Sequence, residues 1–331
     1  MRILLKSGLF GYPDFSQYRR FADGRSDYLL VLFEKLDAMS KIDFKKNYSK
    51  FYDIEIHLDF QIKSTNAPKI LLPLEHETIR PQNLLINYSL YDKVVTWDHR
   101  VSMLPNVLLV SYPHSIEKKL DNQSRNIKYS MLSSNRNILF NSEKSLYNQR
   151  QKVISFMEKT NLNFELYGKD WNYYFVKVGF WSRIKFELWR RFIKNDKQDN
   201  LKKWKGRVKF KHDILKKSVF NFCFENISDY PGYISEKLWD SIASGCVPIY
   251  WPAFTEGNLL LDDNLHKENL FINASLYPDI QDIVERCETM NSYEIKNMRE
   301  NGLDFFHENK DKFSINQYVT KVLEAVNYCI K

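Results

Sequence analysis

Cysteine is scarce in this chain and wrongly spaced for metal or disulfide chemistry. The four residues, Cys223, Cys246, Cys287 and Cys329, contain no CxxC pair, which leaves no disulfide framework or zinc site and fits reduced core thiols in a cytoplasmic protein. Glycine and proline number only 10 each, which excludes collagen-like, linker-dominated and low-complexity chains. No apolar run reaches the roughly 18 residues of a membrane span, and the apolar stretch in MRILLKSGLFGY is too short for a secretory signal. A DxD pair is also missing. Asp262 and Asp263 are adjacent and Asp98 stands alone in TWDHR, so a paired-carboxylate metal site is only weakly indicated.

What is present is apolar and basic. Hydrophobic residues make up 44% of 331 and aromatics 15%, enough to bury a sizeable core, most naturally in two domains. Lys and Arg number 49 against 41 Asp and Glu, a net +8. That surplus favours anionic partners such as nucleotides, phosphorylated lipids or nucleic acid, without choosing among them.

The first part of the chain reads as α/β. Arg2 to Leu5 suits a strand, and Asp27 to Met39 has the apolar spacing of a helix. Ile54, Ile56, Leu58 and Phe60 alternate with Glu55, His57 and Asp59, the period-two pattern of a half-exposed strand. Lys69 to Leu74, Lys93 to Trp97 and Asn106 to Tyr112 are further strand candidates, and the polar stretch Ser115 to Asn126 reads as a linker.

The most informative stretch is Phe222 to Trp251, FCFENISDYPGYISEKLWDSIASGCVPIYW. An apolar strand from Ser218 ends at Glu225 and Asn226. A loop follows, then Ser235 as the cap of a helix closed by Gly245, then the strand CVPIYW. This is a β-α-β unit, and ligands in such sheets sit beyond the strands' carboxyl ends, where a helix N-terminus favours phosphate. Tyr233, Glu236 and Lys237 fall at that edge. Lys237 is placed to neutralise a diphosphate, Glu236 to accept from ribose hydroxyls and Tyr233 to donate or stack. Spacing alone fits equally well a helix with an ordinary charged first turn.

FEN…YxxEKLxDxxxxGxVPIYW resembles the signature of the bacterial and animal α1,3/4-fucosyltransferases, FENS…GYVTEKLxxAxxxGxVPIYWG. GRVKFKHDILKKSVFNFCFEN, SSNRN…RQKVISFMEK and YGKDW extend the likeness over most of Tyr129 to Asn273. Pro252 stands where the family usually has glycine, and Ile227 to Pro231 is not its commonest loop. The resemblance implies an α/β, GT-B architecture of two Rossmann-like domains facing a cleft. Residues 1–120 would bind the acceptor, and 121–331, with the helix Gln317 to Ile330, would bind the GDP-sugar. It implies an inverting enzyme that moves L-fucose from GDP-fucose to a glycan hydroxyl, α1,3 in the first instance, with no obligatory metal or other cofactor.

The same resemblance implies site residues. The family's base is the glutamate of an ESP-like motif after a strand, and in LLPLEHETIRP that glutamate is Glu77, although Ile79 replaces the proline. Glu75 is the alternative, and His76 is a rival base or an acceptor contact. Arg150 matches an arginine that holds the diphosphate, and Asn226 matches a donor contact. Without the likeness, these read as a loop carboxylate, a surface arginine and a turn-forming Asn.

Gly179 to His212 lies outside the motifs and is rich in Arg, Lys and aromatics. Trp181, Ile184, Leu188 and Phe192 recur at helical spacing. That pattern fits a helix packed on its own domain, or one lying on an anionic bilayer through 180–212, which would suit a lipid-linked glycan acceptor. Nucleic-acid binding is disfavoured, since no recognition fold accompanies the charge. The expectation is a bacterial-type, cytoplasmic enzyme, peripheral on the inner membrane, working in lipopolysaccharide O-antigen, surface-glycan or protein glycosylation. The alternatives are a same-fold transferase with another nucleotide sugar and a non-catalytic binder of anionic polymers.

Overall fold

The computed structural model describes residues 1–7, 27–43, 51–62, 65–114, 124–135, 143–171, 201–253 and 269–331. Most of the expected linker, the 179–200 part of the basic aromatic segment, and Asp262 and Asp263 lie outside the described residues.

Two parallel sheets organise the chain. The first holds β1 (Arg2–Ser7), β2 (Lys41–Asp43), β3 (Ile54–Leu58), β4 (Lys69–Leu72), β5 (Lys93–Thr96) and β6 (Val107–Leu109) in the order β2-β1-β3-β4-β5-β6. The second holds β7 (Ile127–Leu132), β8 (Phe164–Tyr167), β9 (Ser218–Phe222), β10 (Val247–Tyr250) and β11 (Ile272–Asn273) in the order β11-β10-β9-β7-β8. Register such as Leu58 opposite Leu72, and Ile249 opposite Phe222, brings the strands' carboxyl ends to one edge of each sheet.

Each sheet is covered by helices, as parallel sheets require. Val153 and Met157 of the Tyr147–Glu158 helix, with Ile283 and Val284 of Ile280–Thr289, pack on Tyr129, Met131, Phe220 and Phe222. On the other face Leu238, Trp239 and Ile242 of Glu236–Ala243 meet Phe305 and Phe306 of Ser292–Asn309. The Glu236–Ala243 helix begins where Ser235 accepts the Lys237 N–H, and Gly245 ends it in the left-handed region at φ 68°.

Two features differ from the sequence reading. β3 is buried throughout, including Glu55 and His57. The polar face of this strand is covered because its charge is fully partnered. Glu55 pairs with Lys6 and His57 Nε2 and accepts the Thr65 N–H at 2.6 Å and the Thr65 hydroxyl at 2.7 Å, while His57 Nδ1 meets the Tyr91 hydroxyl at 3.0 Å. Burial alone would raise the Glu55 pKa, but these hydrogen bonds hold it at about 2.

The last helix, Ile315–Ile330, also leaves the unit that precedes it. Its Tyr318, Val319, Val322, Ala325 and Val326 join Leu32, Leu36, Ile56 and Leu58 in the core of the first sheet. Residues 121–331 therefore do not all pack around the second sheet. Just before this helix, the Phe313 carbonyl accepts the His114 N–H at 2.8 Å.

Candidate active site

The loop that leaves β4 carries Glu75, His76 and Glu77 to the edge where the two sheets face each other. Glu77 is 13% exposed and is gripped from two sides. Arg100 donates Nη1 to Oε1 at 3.0 Å and Nη2 to Oε2 at 3.3 Å, and Tyr230, which follows β9, donates its hydroxyl to Oε2 at 2.8 Å. Arg100 is itself held by Asp98, Nε to Oδ1 at 2.9 Å and Nη2 to Oδ2 at 2.8 Å, and lies 3.7 Å above the Tyr230 ring. Burial pushes the Glu77 pKa up, but the Arg100 and Tyr230 hydrogen bonds prevail and keep it below the ordinary carboxylate value. Beside it lies a cleft of about 170 Å³ lined by Glu75, Glu77, Trp97, Asp98, Arg100 and Tyr230. Carboxylates interleaved with aromatic faces suit a polyhydroxylated ligand.

His76 is 1% exposed, with ring centroids of Tyr233 and Tyr230 at 5.2 and 5.7 Å. Neither ring nitrogen has a hydrogen-bond partner, and burial lowers its pKa to about 3. At neutral pH it is an uncharged imidazole closed off among these rings, whereas Glu77 lines the cleft.

Across the seam, the end of β9 and the start of the Glu236–Ala243 helix form one hydrogen-bonded block. Arg150 is only 5% exposed, and its Nη2 donates to the carbonyls of Phe224 at 2.6 Å and Glu225 at 2.7 Å and to Asn226 Oδ1 at 2.9 Å. Its Nη1 reaches Ser133 Oγ at 3.4 Å. Asn226 also accepts from the Tyr147 hydroxyl at 3.2 Å and donates to the Tyr233 hydroxyl at 3.3 Å. Lys237 Nζ donates to Ser235 Oγ at 2.8 Å and Glu225 Oε2 at 3.3 Å, with Glu236 at 4.0 Å. Burial opposes the Lys237 charge, but Glu236 and Glu225 raise its pKa, and Lys237 in turn lowers that of Glu236 against burial.

Arg150, Asn226, Tyr233, Glu236 and Lys237 are thus brought together, and Tyr233 links them to the first sheet through Trp97, 4.7 Å away between ring centroids. The sequence reading passed over three residues of this seam. Glu225 is fully buried, accepts the Ser235 N–H at 2.8 Å and hydroxyl at 2.7 Å and the Tyr250 hydroxyl at 2.9 Å, and so pins the helix start to the sheet. Arg100 and Tyr230 are the other two, and they meet Glu77 from 23 and 153 residues away in the chain. Among the described residues no group of three or more His, Cys, Asp or Glu is placed to hold a metal, and no helix is long and apolar enough to cross a membrane.

Comparison with known proteins bears on the fold and the family. The α-(1,3)-fucosyltransferase FucT of Helicobacter pylori is 48% identical over 44 residues, which span 13% of this chain and only 9% of that protein's length. An α1,3-fucosyltransferase solved with GDP-fucose has a TM-score of 0.54 at 15% identity, covering 100% of this chain and 90% of that one. A DNA-modifying β-glucosyltransferase gives 0.53 at 12% identity, covering 99% and 100%. The Anabaena protein Alr3699/HepE, solved with UDP-glucose, gives 0.55 at 10%, covering 99% and 100%. At such identities the likeness is one of fold, and that fold is GT-B. Residues 135–329, more than half of the chain, match Glycosyltransferase family 10 (fucosyltransferase) C-term, and the chain belongs to that family.

Proposed function

We propose that this protein transfers L-fucose from GDP-fucose to a glycan hydroxyl, α1,3 in the first instance, with inversion and without an obligatory metal. The observation that carries the reading is the opposition across one seam of the cleft carboxylate Glu77, held by Arg100 and Tyr230, and a strand-end block bearing Arg150, Asn226 and Lys237. Glu77 takes the proton from the acceptor hydroxyl as its oxygen bonds to the anomeric carbon. The bond from that carbon to the diphosphate breaks on the opposite face, and GDP leaves with the electron pair. Lys237 and the Glu236–Ala243 helix N-terminus stabilise the charge that builds on the diphosphate, and Arg150 keeps the strand end rigid and adds positive charge beside it. Glu236 and Tyr233 hold the nucleotide and sugar, and Glu75 lines the acceptor cleft. The acceptor is a bacterial surface glycan, lipid-linked in lipopolysaccharide synthesis, met by a cytoplasmic protein at the inner membrane.

A second reading, a same-fold transferase with another nucleotide sugar, is favoured by one feature. Pro252 replaces the glycine usual after the VPIYW strand. The test is turnover of a panel of GDP- and UDP-sugars by the purified protein, with EDTA present and N-acetyllactosamine as trial acceptor. GDP-fucose is expected to turn over under chelation, and Glu77→Gln to lose about 10²- to 10⁴-fold in kcat with GDP affinity within about twofold of wild type. Turnover confined to another sugar, or an active Glu77→Gln variant, rejects the reading; binding of anionic polymers without any turnover would replace it with a binding role.

A further inference from the structure

One buried carboxylate organises the whole loop that carries Glu77, although it lies 18 residues earlier in the chain and touches neither the cleft nor the seam block. Asp59 follows β3, is fully buried and sits in the left-handed region at φ 64°. A non-glycine residue in that conformation costs on the order of 1 kcal/mol or more and is retained where its surroundings require it. Its surroundings are the β4 loop. Asp59 Oδ1 accepts the backbone N–H of Leu74 at 2.8 Å and of Glu75 at 3.2 Å and the Asn83 amide at 2.9 Å, while Oδ2 pairs with Arg80. Asn83 closes the ring, since its amide also donates to the Glu75 carbonyl at 2.6 Å and its oxygen accepts the Phe60 N–H at 3.0 Å. The turn is completed when the N–H groups of Ile79 and Arg80 donate to the His76 carbonyl at 3.0 and 2.9 Å. Leu74 and Glu75 before Glu77, and Arg80 and Asn83 after it, are therefore all fixed to the Asp59 carboxylate.

We infer that Asp59 is a positioning residue for transfer, acting through Glu77 by setting where the base carboxylate points. The inference rests on the assignment of Glu77 as the base. A loop glutamate without this anchor would still be ionised, but proton transfer requires it within hydrogen-bond reach of the acceptor hydroxyl, and small misplacements cost orders of magnitude in rate. The donor block lies on the second sheet and makes no hydrogen bond to Asp59 among the described residues, so nucleotide binding should not feel the change.

A double-mutant cycle tests this, with single-turnover transfer from GDP-fucose by the full chain as readout. Asp59→Asn keeps the shape but loses the charge that pairs with Arg80 and leaves one oxygen where two accept four donors. In the wild-type background it is expected to lower kcat about 10- to 100-fold, with KM for the donor within about twofold, because what is lost is alignment at the transition state. In the Glu77→Gln background the same substitution is expected to change the rate by no more than about twofold, because there is no base left to aim. If Asp59→Asn costs the same factor in both backgrounds, the coupling is absent and the inference falls while the base assignment stands. If Glu77→Gln turns over at the wild-type rate, both fall. Should Asp59→Asn not fold, Asn83→Ala and Arg80→Met, the latter at a side chain 38% exposed, loosen the same anchor from its outer side and enter the same cycle.

Discussion

Burial works against Glu77 as an ionised base, and Arg100 is the residue that reverses the balance. Its guanidinium serves two carboxylates at once, forked onto Asp98 and again onto Glu77. Removing it leaves burial opposed only by a backbone hydrogen bond at Glu77 and, more weakly, by the Tyr230 hydroxyl, so the Glu77 carboxyl should titrate higher. The sign follows from the role. A base works in its deprotonated form, so wild-type kcat/KM should stay flat as pH falls toward the ordinary carboxylate range. In Arg100→Met the acid limb should move upward in pH. The check is the pH profile of both proteins with saturating acceptor. An unmoved acid limb would mean that Arg100 does not tune Glu77. The sequence placed Glu77 here by its likeness to a motif, but it did not show the grip around it. Tyr230 lies 153 residues away in the chain, and no local pattern announces that meeting.

Elements were legible in proportion to how local their signals are. The helix Asp27–Met39 was marked by its apolar spacing, and the unit from β9 through Glu236–Ala243 to β10 by a cap, an apolar face and a closing glycine. β3 was misread on one face because period-two alternation reports polarity and not exposure. Only the fold brings Lys6, Thr65 and Tyr91 to Glu55 and His57. Gly232 is a sharper case of an element-scale signal with a tertiary cause. It holds φ at 87°, and a Cβ there would lie 2.2 Å from the Trp97 carbonyl oxygen and 2.5 Å from the His99 ring. Neither backbone nor a packed ring can yield cheaply, so Gly232→Ala should force the loop after β9 away from the first sheet. The His99 N–H to Pro231 carbonyl bond at 3.2 Å and the Tyr230 contact with Glu77 would go with it. Thermal unfolding should shift down by several degrees, as expected for a loss of about 1–3 kcal/mol. Transfer should fall at least about tenfold, in keeping with the cost of misplaced catalytic groups. A variant with wild-type melting and rate would show that the seam tolerates a wider gap.

At the scale of the molecule, the closing helix decides whether the first sheet has a complete core. The apolar period of Gln317 to Ile330 marks a helix in the sequence, yet it says nothing about which sheet receives that face, because periodicity reports an apolar face and not its partner. The structure assigns it to the first, where Val319, Val322 and Val326 lie with Leu32, Leu36 and Ile56. Burial of its five core side chains contributes roughly 10 kcal/mol as an upper figure, which is comparable to the whole stability of a typical domain, about 5–15 kcal/mol. A chain stopped after Ser314 keeps Phe313 in the core of the second sheet but uncovers one face of the first. Such a chain should bind an apolar dye strongly, melt over a broader range than the full chain and lose transfer. The second sheet and its donor block keep their helices, so nucleotide binding should survive far better than turnover. Calorimetry, dye binding and GDP titration on the truncated and full chains separate these effects. Retention of a sharp, wild-type-like transition together with full activity would show that the first sheet closes its core without the helix. Loss of nucleotide binding in parallel with activity would instead make the two sheets one cooperative unit, stitched at the His114 to Phe313 hydrogen bond.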